Sequence, residues 1–548
     1  MIGMGSETLA AASSFGRLHQ GVAWLTVVAC VAASVPAGLR WLRVAQREHY
    51  LGGSCARFAV RWWTVTPLNL GLASVALAAA VVSVWWPLAG VVTALAVAGG
   101  PVGLSLKGRT AALAWTRRLR TLAGVWATLE IVVMAIGVVT GLASAAAVVA
   151  ALVVPVLVDA ACLLTAPVER RLSEHFVTDA RRRLSRVAPT VVAVTGSFGK
   201  TSTKNHLAHL VRGTATVVAT PASFNNRAGL ARAVNEHLAE GTEVFIAEMG
   251  TYGPGEIADM CRWCPPSVAV ITAIGPVHLE RFGSEDRIVE AKSEIAVAAR
   301  DVVIQIDDPR LAAVADRLAK EGKHVVRCSA SDGTADVSVV RESGGPGVTI
   351  GIDGRTVATK VVLPTGVQPA NLACAIGAAR SVGVTTSSIV AALGDLPPVE
   401  HRLQAVRSPS GFSILDDTYN SNPAGARAAL VALGQLTGSH GSNPSMPEPG
   451  TSTVVTPGMV ELGARQRAEN FRFGAEIAER ADHLVVVGRT NRRALIAGAA
   501  AAGSASTGAG GVTVTWVADR PQAVAWVREH LGPGDAVLYE NDLPDHYP

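Results

Sequence analysis

Hydrophobic residues follow two regimes along this 548-residue chain. Up to residue 165 they form long, nearly unbroken runs; beyond 190 they come in short blocks between polar, glycine-rich stretches. Five early runs, near 21–39, 67–86, 87–106, 122–141 and 142–165, each offer the roughly twenty apolar residues that a membrane-crossing helix needs. Uncharged turns at Pro87 and Gly141 join the second run to the third and the fourth to the fifth. Basic residues follow the other ends: Arg40, Arg43, Arg47, Arg57 and Arg61, then Lys107, Arg109, Arg117, Arg118 and Arg120, then Arg170, Arg171 and Arg181–Arg183. The positive-inside rule puts all three clusters on one face. This predicts a multi-pass anchor in the cytoplasmic (plasma) membrane, N-terminus outside, with everything after 165 in the cytoplasm. The charges follow the first run instead of preceding it, so it does not read as a cleaved signal peptide. Glu130 and Asp159 fall inside apolar runs, where an interhelical hydrogen bond is the expected remedy and a substrate route the alternative.

The pattern then changes period. Residues 166–188 read as a basic amphipathic linker helix on anionic headgroups. From 189 to 396, strand-length Val-rich blocks alternate with helical stretches, which implies a mostly parallel sheet covered by helices. Pro397-Pro398 breaks the chain, and 397–548 reads as a smaller, Rossmann-like α/β domain containing a Ser-, Gly- and Pro-rich loop at 437–452. The expected fold class is therefore an α-helical membrane anchor (1–165) followed by α/β domains, the first built on a phosphate loop.

Composition adds little. Charged residues make up only 17%, and a net charge of +5 gives no reason to expect nucleic acid as a partner, since the arginines sit beside apolar runs. Seven scattered cysteines suggest no disulfide framework. Cys261-Arg262-Trp263-Cys264 has metal-ligand spacing but lacks the second pair of a structural zinc site, so packing is the favoured reading.

The chemistry centres on Thr195-Gly196-Ser197-Phe198-Gly199-Lys200-Thr201-Ser202-Thr203, between a buried strand and a helix. Such a turn aims backbone N–H groups at phosphate oxygens; Lys200 reaches the outer phosphates and Thr201 offers a hydroxyl to Mg²⁺. Only two residues separate Gly196 from Gly199, fewer than in the usual P-loop. Further on, Glu248 ends a strand, His278 follows another, and Lys292 sits on a helix. Singly they read as a capping acid, a satisfied loop histidine and a solvated lysine. After a phosphate loop they read together as groups placed around a nucleotide and its metal.

Thr195–Thr203, Thr220-Pro221-Ala222-Ser223-Phe224-Asn225-Asn226, Glu248, the His278 loop and Ala291-Lys292 together resemble the central domain of the Mur ligases, ATP-dependent amide ligases of peptidoglycan precursor synthesis. Phe224-Asn225-Asn226 and Asp416-Asp417-Thr418-Tyr419-Asn420-Ser421-Asn422-Pro423 are most similar to the branch that adds D-alanyl-D-alanine. The resemblance covers about 190–545. It implies that Gly196, Ser197, Gly199, Lys200, Thr201 and Ser202 cradle the ATP phosphates, with Asn225 or Asn226 near the γ-phosphate. It implies Mg²⁺ at Thr201 and Glu248, a second Mg²⁺ at His278, and a carbamate on Lys292. Asn371 would contact adenine, Arg402 the phosphates, and Asp417 the ribose or a metal-bound water. Catalysis would then rest on Lys200, His278, Lys292 and Arg402.

Three departures stand out. Val367-Gln368 replaces an expected His-Asn, Glu540-Asn541-Asp542 replaces an expected Lys-Gly-Ser, and apolar runs occupy the place of the uridine-nucleotide domain. The acceptor carboxylate is therefore open between a soluble and a lipid-linked cell-wall precursor, and the amine between an amino acid and a dipeptide. A poly-γ-glutamate-like synthase, or a membrane ATPase or nucleotide scaffold, remain the alternatives.

Overall fold

The computed structural model describes residues 4–106, 113–221, 224–342, 347–364, 366–397, 404–418, 422–437, 450–503, 511–543 and 546–547. They form two compact units, 1–172 with 543–548, and 173–542.

The first unit is helical: α1 (Met4–Arg47), α2 (Ser54–Thr64), α3 (Pro67–Val82), α4 (Ala89–Gly99), α5 (Arg117–Val139), α6 (Ala143–Leu152) and α7 (Val154–Val187), which runs on into the second unit. The five expected spans are not five straight helices. Within α1 the stretch Gln20–Arg47, and α5, are long and apolar enough to cross a bilayer. The second run instead belongs to α2–α3, bent by 110°, and the fifth to α6–α7, bent by 76°, while the third yields only the 11 residues of α4. Nor is the basic stretch at 166–188 a separate element: α7 continues through Pro167 to Val187, there being no glycine or cap to stop it.

Several polar groups buried among these helices bond to neighbouring backbone, which offsets the cost of an apolar surrounding. Asp159, the acid expected to bond between helices, accepts from the Cys55 and Ala56 amides at 3.0 and 2.8 Å and so caps α2. Arg40 donates to the Gly100 and Ala98 carbonyls at 2.9 and 2.7 Å, where α4 ends. His546, near the end of the chain, is buried in this unit, its Nε2 3.0 Å from Glu48 Oε1 and its carbonyl accepting from Trp62 Nε1 at 2.8 Å.

The second unit holds two sheets. The larger consists of β1 (Thr190–Thr195), β2 (Val217–Ala219), β3 (Val244–Glu248), β4 (Val268–Ile271), β5 (Asp301–Gln305), β6 (His324–Ser329), β7 (Val337–Arg341), β8 (Gly347–Ile352) and β9 (Arg355–Val362), in spatial order β2-β3-β1-β4-β5-β6-β7-β8-β9. It is parallel through β7 and closes with an antiparallel meander. The central strands β1, β3, β4 and β5 are buried on both faces, as parallel strands under helices must be. Cys261 and Cys264 lie in this core, Cys261 Sγ 3.8 Å from Met249 Sδ, so the CxxC serves packing.

The smaller sheet consists of β10 (Gln404–Arg407), β11 (Ser413–Asp417), β12 (Ser452–Thr456), β13 (His483–Val487), β14 (Thr513–Val517) and β15 (Ala536–Glu540), ordered β10-β11-β15-β12-β13-β14. It is parallel except for β10. Its helices Gln466–Ala478 and Arg492–Gly503 meet backbone to backbone: a Cβ on Gly498 would lie 1.9 Å from the Phe471 carbonyl oxygen, and one on Gly474 2.2 Å from that of Leu495. Main-chain carbonyls cannot move aside as side chains do. Gly498→Val should therefore destabilise this domain by about 1–3 kcal/mol through overpacking, read as an earlier denaturation midpoint with an unchanged slope.

Candidate functional site

In an open parallel sheet, the strands next to the point where connections reverse direction leave a crevice at their carboxyl ends. Here those strands are β3, β1 and β4, whose carboxyl ends carry Glu248, the turn Gly196–Gly199 and the loop leading to His278. The turn after β1, Gly196–Gly199, leads into helix α8 (Lys200–Arg212). Gly199 sits at φ +79°, a left-handed conformation that glycine adopts without strain, and a Cβ there would fall 2.1 Å from Asn371 Oδ1. A Cβ on Gly196 would meet Thr272 Oγ1 at 2.0 Å. Ser197 is tied down by its amide to the Ala273 carbonyl (2.6 Å) and by its hydroxyl to that of Gly275 (3.2 Å). Lys200 folds over the loop, with Nζ 2.8 Å from the Gly196 carbonyl and 3.4 Å from that of Ser197. Ser202 is buried in the first turn of α8.

Glu248, at the end of β3, gathers the polar groups of this crevice. Thr201 Oγ1 donates to its Oε2 at 3.0 Å, Asn225 Nδ2 donates to Oε1 at 3.1 Å, and Lys204 Nζ stands 3.1 Å from Oε2. Both Glu248 and Lys204 are buried. Burial alone would push the carboxyl up, but Lys204, then Lys200, then the Asn225 hydrogen bond outweigh it and hold Glu248 below its usual value. The sequence reading missed Lys204, although its position one helical turn after Lys200 is the available signal.

Asn226 is spent on local structure: its side chain accepts from the Gly229 amide at 2.9 Å and caps helix α9 (Arg227–His237). Asn371, on the helix Pro369–Ser381, packs against the phosphate loop, and its carbonyl accepts from Thr203 Oγ1 at 3.3 Å. His278 precedes the short helix Leu279–Phe282, and its Nδ1 contacts Glu461 Oε2 from the loop after β12. Lys292 is buried on the helix Glu285–Ser293. Among the described residues no carboxylate pairs with it. Burial, and secondarily the Lys200 charge, hold its pKa well below the usual lysine value, which favours a neutral amine. Asp417 is buried at the carboxyl end of β11, and Arg402 lies outside the described residues.

The donors suit a hard cation beside phosphates. Mg²⁺ takes one or two protein oxygens and completes its shell with water and phosphate, and Thr201 and Glu248 converge in that way. Among the described residues no group of three or more His, Cys, Asp or Glu converges on one point.

The two buried lysines should respond in opposite ways to loss of charge. Lys204→Met strips Glu248 of its nearest counter-charge and should cost about 3–5 kcal/mol. Lys292→Met removes a group whose folded pKa lies below the value of about 10.4 for free lysine. The penalty for burying it is fully present below the folded pKa and fades as pH rises towards the unfolded one. With Lys292 as the unmodified amine, Lys292→Met should therefore raise Tm at pH 7, by an amount that shrinks as pH rises, checked by thermal unfolding across pH in CO₂-depleted buffer.

Comparison with known proteins gives the same outline. The family model described as Mur ligase middle domain matches residues 194–379, and the one described as Mur ligase, glutamate ligase domain matches 401–539. A UDP-N-acetylmuramoyl-tripeptide–D-alanyl-D-alanine ligase of Mycobacterium leprae is 34% identical over 372 residues, covering 64% of this chain and 70% of that protein. Its counterpart in Mycobacterium tuberculosis is 34% identical over 363 residues, covering 64% and 69%. Among solved structures, the MurF ligase of Thermotoga maritima in complex with ADP aligns with a TM-score of 0.56 at 26% identity, covering 68% of this chain and 80% of that one. A MurF of Acinetobacter baumannii shares the fold at TM-score 0.56, covering 68% and 77%.

Proposed function

Since this chain belongs to the Mur ligase family and is an ATP-dependent, amide-forming ligase of peptidoglycan precursors, we propose that it joins a cell-wall peptide carboxylate to an amine through an acyl phosphate at the β1–β3–β4 crevice. The observation that carries this reading is the convergence of Thr201, Asn225 and Lys204 on the buried Glu248 at the mouth of the phosphate loop. A substrate carboxylate attacks the γ-phosphorus of ATP, the bond to the β-γ bridging oxygen breaks, and ADP leaves. The amine then attacks the acyl carbon, phosphate departs with the C–O electron pair, and the amine loses a proton to leave an amide. Lys200 and the loop amides hold the phosphates in line, so positioning and charge neutralisation carry the catalysis. Thr201 and Glu248 would hold Mg²⁺, which when bound offsets the charge of the phosphate oxygens. Arg402 and Asp417, from the second α/β domain, would approach the nucleotide on closure about the hinge near 397.

Lys292 is suited to carbamylation, in which its neutral amine adds CO₂ and loses a proton. Burial favours the neutral form that reacts, and the product is an anion facing Lys200.

By its likeness to the D-alanyl-D-alanine ligases, the amine is a dipeptide and the acceptor a UDP-linked muramoyl peptide. A lipid-linked acceptor fits a membrane anchor, and anchoring is itself part of this reading. It is supported by the two long apolar helices and by exposed apolar side chains such as Trp85, Trp86, Ile131 and Val139. A polymerising synthase has no observation of its own to favour it.

With ATP, Mg²⁺, a muramoyl-tripeptide precursor on UDP or on a lipid carrier, and D-alanyl-D-alanine or single amino acids, ADP and phosphate should appear only when acceptor and amine are both present. Hydrolysis without them, or none with any pairing, would sink the ligase reading. Lys292→Ala should lose at least a hundredfold in rate and recover part of it with added formate; an unimpaired variant would rule out the carbamate.

A further inference from the structure

His278 and Glu461 are 183 residues apart in the chain, one after β4 of the large sheet and the other after β12 of the small one, yet their side chains touch. Both are non-glycine residues in the left-handed conformation, at φ +55° and +63°. That conformation is unfavourable for a side chain with a Cβ, and two such residues facing one another mark a contact imposed by the surrounding structure. The carboxylate is set from behind: Arg281 Nη2 stands 3.9 Å from Glu461 Oε1, and the Arg281 guanidinium lies over the Tyr252 ring, 4.6 Å from its centroid. Tyr252 in turn meets the His278 ring edge-on at 4.9 Å. A second bridge holds the same two domains together, from Arg465 Nη1 to Glu285 Oε1 at 2.7 Å.

We propose that Glu461 is a positioning residue: the C-terminal domain uses it to fix the ring of His278, so that the central-domain site is complete only when the two domains are seated together. A carboxylate on Nδ1 selects the tautomer with its proton there and leaves the Nε2 lone pair free for a cation, the arrangement by which carboxylates orient metal-binding histidines. The proposal rests on His278 being a metal ligand of the ligase site. It goes beyond that reading by assigning the orienting group to the other domain, which makes domain seating a condition for tight Mg²⁺–nucleotide binding.

The test compares ADP binding by calorimetry with Mg²⁺ and with EDTA, in the wild-type chain and in Glu461→Ala, Glu461→Gln and His278→Ala. Glu461→Ala should lower the Mg²⁺-dependent gain in ADP affinity by roughly 10–100-fold while leaving ADP binding in EDTA unchanged, which a folding defect would not do. Glu461→Gln keeps an acceptor for Nδ1 and should retain most of the gain. Loss of the gain in His278→Ala but not in Glu461→Ala would overturn the positioning role and leave the histidine as ligand. An unchanged gain in His278→Ala would overturn the ligand reading and the proposal with it.

Discussion

A single buried carboxylate organises the nucleotide crevice. Glu248 is the last residue of a strand whose other four residues are buried, and its own side chain is buried as well. A carboxylate in that position persists only if its charge is matched and its oxygens are bonded. Lys204 supplies the charge, and Thr201 and Asn225 supply the bonds. Three separate stretches, namely the start of α8, the end of β3 and the segment before α9, are thereby pinned to one point. The phosphate loop inherits its position from that convergence and from the glycines that let Thr272 and Asn371 press against it.

The cations in this crevice divide the work. Lys200 is held on the loop carbonyls, where incoming phosphates would replace them as partners. Lys204 neutralises Glu248, and with it the charge a metal ion would otherwise meet unopposed. Lys292 has no counter-charge among the described residues and is pushed towards the neutral amine. Three lysines in one crevice thus meet three different surroundings: backbone carbonyls, a carboxylate, and burial beside another cation.

Much of this was legible in the residue order. Val-rich blocks gave the parallel strands, and Gly196 to Thr201 marked the phosphate loop because strand, turn and helix are local features with short-range causes. The helical unit was less legible. Hydropathy located the apolar runs but not the bends after Thr64 and Leu152, because a run of apolar residues does not record where a helix breaks. Nor did the residue order show that Asn226, in the Phe224-Asn225-Asn226 motif, caps a helix.

What the sequence determined by itself is the class of chemistry. A compact glycine turn after a buried strand, with a lysine and a threonine at its end, has few uses besides phosphate, and local backbone geometry enforces that. What only the tertiary structure decided is which charges meet. Glu461 reads in sequence as one residue of a strand–loop segment, and Lys204 as an ordinary helix lysine. Their roles depend on partners 183 and 44 positions away. Electrostatic interaction depends on distance through space and on burial, and neither is written in the order of residues along the chain.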